Sequence, residues 1–323
     1  MHAIRTDGTA VRFVTDDPEP ELGPGEVLVR ITLAAITPAD LMAARAGSGF
    51  AGVLGHCAVG VIEDGDPDLP ADPLSNLCGT RVVVNPIVSC GSCPLCKSGL
   101  ASNCQSRRVL GLDGAGGCFA QRVAVPRGNV VPIPAELPDE AAVFAARAAL
   151  AMHAAQRIRI EGKPYITVLG DGVLGLIAAQ VLAKLNASVR LLGSEPKRFL
   201  LCEKWGIKHR HASEVGQRAD QDVVVVTDAD RLELACGLVR PRGKVVLLGP
   251  ELFGDFDVRS IVRQELEVVG IASGDIGAGL DALATGGIDA LGLIARKARL
   301  SEGPNALQLA AEPDQLAVLL DAA

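Results

Sequence analysis

The chain has 323 residues, with 31 Lys and Arg against 38 Asp and Glu and a formal net charge of -7. That length suffices for two domains that each bury a core, and an acidic chain with no basic tract excludes a nucleic-acid surface. No stretch approaches about 18 uncharged apolar residues, and "MHAIRTDGTAVRFV" lacks the basic start and apolar run of a secretory signal, so a cytoplasmic protein with no membrane partner is expected.

Residues 1 to about 135 are punctuated by Gly and Pro between short β-rich runs such as "EVLVRITLA" and "TRVVVNPIV", which reads as a β-rich domain of irregular path. Within it, "SCGSCPLCKSGLASNC" spaces Cys90, Cys93, Cys96 and Cys104 as C-x2-C-x2-C-x7-C. Four thiolates in one lobe suit tetrahedral zinc. The rival is an iron–sulfur cluster, but a ferredoxin run continues x3-C-P, whereas here the fourth cysteine comes after seven residues and precedes Gln105. A four-thiolate site leaves no open position for substrate or water, so it staples a lobe and does no chemistry. The chain holds nine cysteines, an odd number, which fits a metal site plus scattered thiols better than a disulfide framework. Cys78, Cys118, Cys202 and Cys236 have no ligand spacing and are expected to be buried small residues.

From about residue 139 the texture changes. "DEAAVFAARAALAMHAAQRI" is helical, and "YITVLG", "SVRLLG", "DVVVVT", "KVVLLG" and "LEVVGI" then recur as apolar strands between helical patterns. That alternation predicts a doubly wound α/β parallel sheet. After about 272 come further helical stretches, ending in "PDQLAVLLDAA".

"ITVLGDGVLGLIAAQVLAKL" sets Gly170, Gly172 and Gly175 as G-x-G-x-x-G between a strand and a helix, the context in which that pattern marks a dinucleotide site. Val173 and Leu174 open the helix whose free N–H groups would face the pyrophosphate. The next strand closes on Gly193 and Ser194, not on an acid, and Lys197 and Arg198 follow; this favours NADP over NAD, because no carboxylate repels a 2′-phosphate. The alternative is NAD, with Glu195 in the ribose role and the two cations solvated. Thr227 and the run Leu248, Gly249, Pro250 fall on the nicotinamide side.

The cysteine lobe, the glycine turn and "GPGEVLVRITLAAITPADLMAARAG…VLGHCAVGVIEDG" together resemble the zinc-containing alcohol dehydrogenase family of the medium-chain dehydrogenase/reductase superfamily, across essentially the whole chain. The resemblance implies a GroES-like β-rich catalytic domain over 1–138 with the zinc lobe at 89–104, a Rossmann cofactor domain over 139–272, and a C-terminal return over 273–323. It also implies an active site in the cleft between domains, a small-molecule substrate, and a homodimer formed at the cofactor-domain sheet edge.

The family's catalytic zinc takes a Cys from C-x-T/S-D, the His of G-H-E, and a Cys or Glu near the start of the cofactor domain. Here those positions read "TPAD", "GHC" and "FAARAAL": Thr37 replaces the Cys, Ala39 the proton-relay hydroxyl, and Ala145 or Ala146 the last ligand. His56 matches the ligand histidine, Asp40 the acid that orients it, and Cys57 stands in the Glu position. Three readings follow: a rebuilt metal site using Cys57, His56 and Asp40; a core histidine bonded to Asp40 beside a buried thiol; or metal-free acid catalysis by His56 and Asp40 with Thr37 as a further donor. The resulting expectation is an oxidoreductase acting on a carbonyl, alcohol or activated C=C bond. A dinucleotide-binding protein without turnover is the alternative.

Overall fold

The computed structural model describes residues 1–65, 78–158, 162–228, 231–249 and 258–322. The chain folds as two compact units, Met1–Phe144 with Ile294–Ala323, and Ala145–Leu293. Among the described residues no helix is long and apolar enough to cross a membrane.

The first unit is built on the strand Glu26–Ile36, whose alternation turns Val27, Val29, Ile31 and Leu33 inward. Cys57–Gly65 and Arg122–Pro126 pair with it antiparallel, and so does the C-terminal strand Ala317–Asp321. Val29, Ile31, Leu54, Ile62, Phe119, Val318 and Leu320 fill the space beneath. Each such side chain contributes about 1.5–3 kcal/mol by leaving water. Phe119 reaches this core because Gly55, at φ +99°, carries no side chain; a Cβ there would lie 2.3 Å from the phenyl ring. The same turn delivers the next two residues, His56 and Cys57, to the start of a buried strand.

Asp139–Ala142 is a short helix of this unit, because Asp139 accepts from Arg81 Nε at 3.0 Å and from Thr32 Oγ1 at 2.8 Å. The unit therefore runs to Phe144, past the 138/139 boundary expected from sequence. The chain re-enters it at Ile294–Arg299, which lies parallel to Ala317–Asp321.

The second unit is a parallel sheet in the order Lys208–His211, Ser188–Gly193, Tyr165–Leu169, Gln221–Val226, Val239–Leu248, Glu267–Ile271. Its central strands are almost wholly buried, as the "VVVV" and "TVL" runs require when helices cover both faces. The helix Ala145–Arg157 packs on Ile276–Ala284. This pairing keeps residues beyond 272 in the second unit as far as Leu293.

Candidate active site and metal centre

In the first unit, Thr37 is the N-cap of the helix Pro38–Ala43 and Asp40 is its third residue. The two form a reciprocal capping box: Thr37 N–H and Thr37 Oγ1 each donate to Asp40 Oδ2 at 2.8 Å, and the Asp40 N–H faces Thr37 Oγ1 at 3.5 Å. The other carboxylate oxygen, Oδ1, takes His56 Nδ1 at 2.9 Å. Asp40 is fully buried and His56 is 7% exposed. Burial alone would pull the imidazole down; the charge of Asp40, then the Cys57 sulfur, and hydrogen bonds to both overcome it and hold His56 well above its ordinary 6.5. Cys57 is buried on the strand Cys57–Gly65, opposite Ala35. Cys118 lies close by, and burial pushes its thiol up, so it stays neutral.

This arrangement joins His56, Asp40, Thr37 and Cys57. It also commits the Thr37 hydroxyl to Asp40 and the helix cap, not to a ligand. Ala145 and Ala146 offer no donor atom at all.

The four cysteines of residues 90–104 converge. Sγ–Sγ distances are 3.4 Å for Cys93–Cys96, 3.5 Å for Cys90–Cys104, and 3.9 Å for both Cys90–Cys96 and Cys93–Cys104. Zinc–thiolate bonds of about 2.3 Å in a tetrahedron set sulfurs about 3.8 Å apart, so the cluster fits that ion. Cys93 caps the short helix Pro94–Lys97 through its sulfur, which receives the Cys96 N–H and pulls two ligands together. Backbone N–H groups of Ser92 and Cys93, with the Cys104 thiol, hydrogen-bond to Cys90 and draw it from 9.0 to about 6, toward the thiolate that a metal requires. Among the described residues these four are the one group of three or more His, Cys, Asp or Glu whose donor atoms converge; Asp40, His56 and Cys57 do not make another. Of the remaining cysteines, Cys118, Cys202 and Cys236 are buried as expected, but Cys78 is exposed.

In the second unit, Gly170 ends the strand Tyr165–Leu169 at φ +125°, and Gly172 caps the helix Val173–Leu182 with no side-chain bond to its first N–H groups. A Cβ on Gly175 would sit 2.1 Å from Gly170 O, whereas one on Gly172 would meet nothing within 4 Å. The turn is therefore tight on its protein side and open where a pyrophosphate would approach. Val173 and Leu174 begin the helix. Thr227 braces the turn, its N–H donating to Leu169 O at 3.0 Å. Leu248 is fully buried at the end of its strand, and the Gly249 N–H bonds Ile271 O at 3.0 Å. Pro250 lies outside the described residues.

The strand end holds a residue that sequence reasoning passed over. Asp171, between the first two glycines, turns its carboxylate onto the next strand's end, where Oδ2 accepts the N–H of Ser194 at 3.0 Å and of Glu195 at 2.8 Å. Arg198 Nη1 stands 3.4 Å from Oδ1. A Cβ on Gly193 would lie 2.4 Å from Asp171 Oδ2, which explains glycine where an acid might stand. Glu195, the alternative ribose acid, instead caps the helix Pro196–Lys204 by accepting the Lys197 N–H at 3.2 Å.

A glycine turn of this form in a six-stranded parallel sheet, together with a β-rich unit that takes back the C-terminal strands, defines a medium-chain dehydrogenase/reductase fold. The alcohol dehydrogenase GroES-like domain family matches residues 23–135. A zinc-type alcohol dehydrogenase-like protein of Haemophilus influenzae is 26% identical over 311 residues, covering 90% of each chain. An L-threonine 3-dehydrogenase of Mesorhizobium japonicum is 28% identical, covering 80% of this chain and 79% of its own. Two solved structures superpose on 99% of this chain: a zinc-binding dehydrogenase of Sinorhizobium meliloti 1021 bound to NADP, with TM-score 0.83, 26% identity and 98% of its own chain, and alcohol dehydrogenase TADH from Thermus sp. ATN1, with TM-score 0.84, 25% identity and 99% of its own chain. The chain is an oxidoreductase that carries an alcohol dehydrogenase GroES-like domain at residues 23–135 and is similar over nearly its whole length to zinc-type alcohol dehydrogenases.

Proposed function

We propose that the protein is an NADP(H)-dependent oxidoreductase of small carbonyl, alcohol or activated C=C substrates, with one structural zinc on Cys90, Cys93, Cys96 and Cys104 and an acid in place of a catalytic zinc. The observation that carries the proposal is the buried Asp40–His56 pair, kept intact where Thr37 and Ala146 remove two of the family's three ligands. Those residues do not fit a catalytic zinc.

The glycine turn fits a dinucleotide, with Gly170, Gly172, Val173, Leu174 and Gly175 along the pyrophosphate, Gly193, Ser194, Lys197 and Arg198 toward the adenosine, and Thr227, Leu248 and Gly249 toward the nicotinamide. NADPH, when bound, supplies the hydride. Asp40 fixes the imidazole through Nδ1 and keeps it charged, so His56 holds a proton at Nε2 for the oxygen or carbon that gains electron density. Thr37 acts through Asp40, by holding the second carboxylate oxygen. Without a Lewis acid the enzyme favours reduction of polarised double bonds over oxidation of simple alcohols, whose alkoxide nothing stabilises. The edge strand Glu267–Ile271 leaves Val268 exposed and suits pairing with a second copy.

The test is NADPH consumption across carbonyls, enones and quinones, beside metal content per chain. Saturable consumption by protein holding one zinc, lost in His56→Asn, supports the reading. Tight NADPH binding with no consumption would point instead to a dinucleotide-binding protein without turnover, and a second zinc would restore a metal-based mechanism.

A further inference from the structure

The adenosine end of the turn carries a guanidinium that the glycine pattern does not flag. Arg231, shortly past the strand Gln221–Val226, donates from Nη2 to the Ser194 hydroxyl at 2.6 Å. Ser194 follows the strand Ser188–Gly193, and the strand bearing the glycine turn lies between the two in the sheet. The arginine therefore reaches across the C-terminal end of that strand, where open α/β sheets take their ligand.

Ser194 is fixed from three directions. Its N–H donates to Asp171 Oδ2 at 3.0 Å, its carbonyl faces His211 Nε2 at 3.2 Å, and its hydroxyl oxygen accepts from Arg231. A hydroxyl that accepts from an arginine keeps its own proton to donate elsewhere. Two acids of this corner are already engaged, Asp171 by two backbone N–H groups and Arg198, and Glu195 by the Lys197 N–H. What converges on this corner is thus a guanidinium and a hydroxyl donor from two different loops, the donor set that a phosphate monoester takes.

We infer that Arg231 is a specificity-determining residue that grips, together with Ser194, the adenosine 2′-phosphate distinguishing NADP(H) from NAD(H). The assignment rests on the NADP(H) reading given above.

Equilibrium titration of the full-length chain with NADPH and with NADH, at one fixed ionic strength, tests it on wild type, Arg231→Gln and Arg231→Lys. The side chain is half-buried at the surface, and thermal melting of each variant confirms that it is folded. Wild type should prefer NADPH. Arg231→Gln should weaken NADPH by roughly 10- to 100-fold, as for loss of a hydrogen bond to a charged group, and change NADH by less than about threefold. Arg231→Lys should recover part of the loss. A wild type with no preference for NADPH overturns the NADP(H) reading and this assignment with it. A wild type that prefers NADPH while Arg231→Gln keeps the full preference, or weakens both cofactors equally, overturns the assignment alone.

Discussion

His56 Nδ1 lies 2.9 Å from Asp40 Oδ1, across sixteen residues of chain, with both side chains closed to solvent. The pair binds a proton more tightly in the folded state than an ordinary histidine does. Its contribution to stability is therefore complete below about 6.5, the unfolded value, and is lost as pH rises through the raised folded value. Urea midpoints should fall with rising pH over that interval in wild type, and Asp40→Asn should flatten the fall. A wild-type midpoint that climbs there would contradict the charged imidazole.

Thr37 is a helix cap before it is anything else. Thr37→Ala should cost about 1 kcal/mol from the lost cap, and more because the buried Asp40 Oδ2 loses the hydroxyl, one of its two donors, and keeps only the backbone N–H. Thr37→Ser keeps the hydroxyl and should melt within a degree or two of wild type, roughly the shift that a few tenths of a kcal/mol produces. Equal losses in both variants would mean that the methyl group, not the hydroxyl, matters.

The cysteine lobe should hold one zinc per chain, measured by elemental analysis of protein purified without added metal. Cys93→Ser removes both a ligand and the sulfur cap of Pro94–Lys97, and should bring metal content to near zero and open residues 89–104 to limited proteolysis. Protein that keeps its metal after this change would place the ion elsewhere.

Gly175→Ala should cost about 1–3 kcal/mol, because the added methyl meets Gly170 O at 2.1 Å and the turn has to open. NADPH affinity should fall with it. Gly172→Ala, where the added methyl meets no protein atom, should leave the melting temperature nearly unchanged while still obstructing the cofactor.

The parts legible in the sequence are those whose physics is local. Cys90 to Cys104 declare a metal lobe through spacing alone, and Gly170 to Gly175 declare a strand–turn–helix through backbone demands that few residues meet. Asp171 was invisible because it occupies a variable place in the glycine pattern, and its partners Ser194 and Glu195 are 23 and 24 residues away. Arg231 is 37 residues from the hydroxyl it touches. Thr37 is a different case: Thr37 and Asp40 stand three apart before a helix, and that signature was there to be read as a cap. Cys78 shows that residue type does not fix exposure, and the unit boundaries moved because Asp139 and the helix Ile276–Ala284 chose partners that no local pattern reveals.

Gly193 and Asp171 are mutually dependent. An acid introduced at 193 to turn the protein toward NAD(H) would drive its Cβ into a carboxylate pinned by two amides and an arginine. Shrinking Asp171 first leaves those two amides without their acceptor. Cofactor preference is therefore guarded by a two-step barrier: libraries that randomise position 193 alone should return glycine, and a lineage drifting from one dinucleotide to the other has to change both positions together.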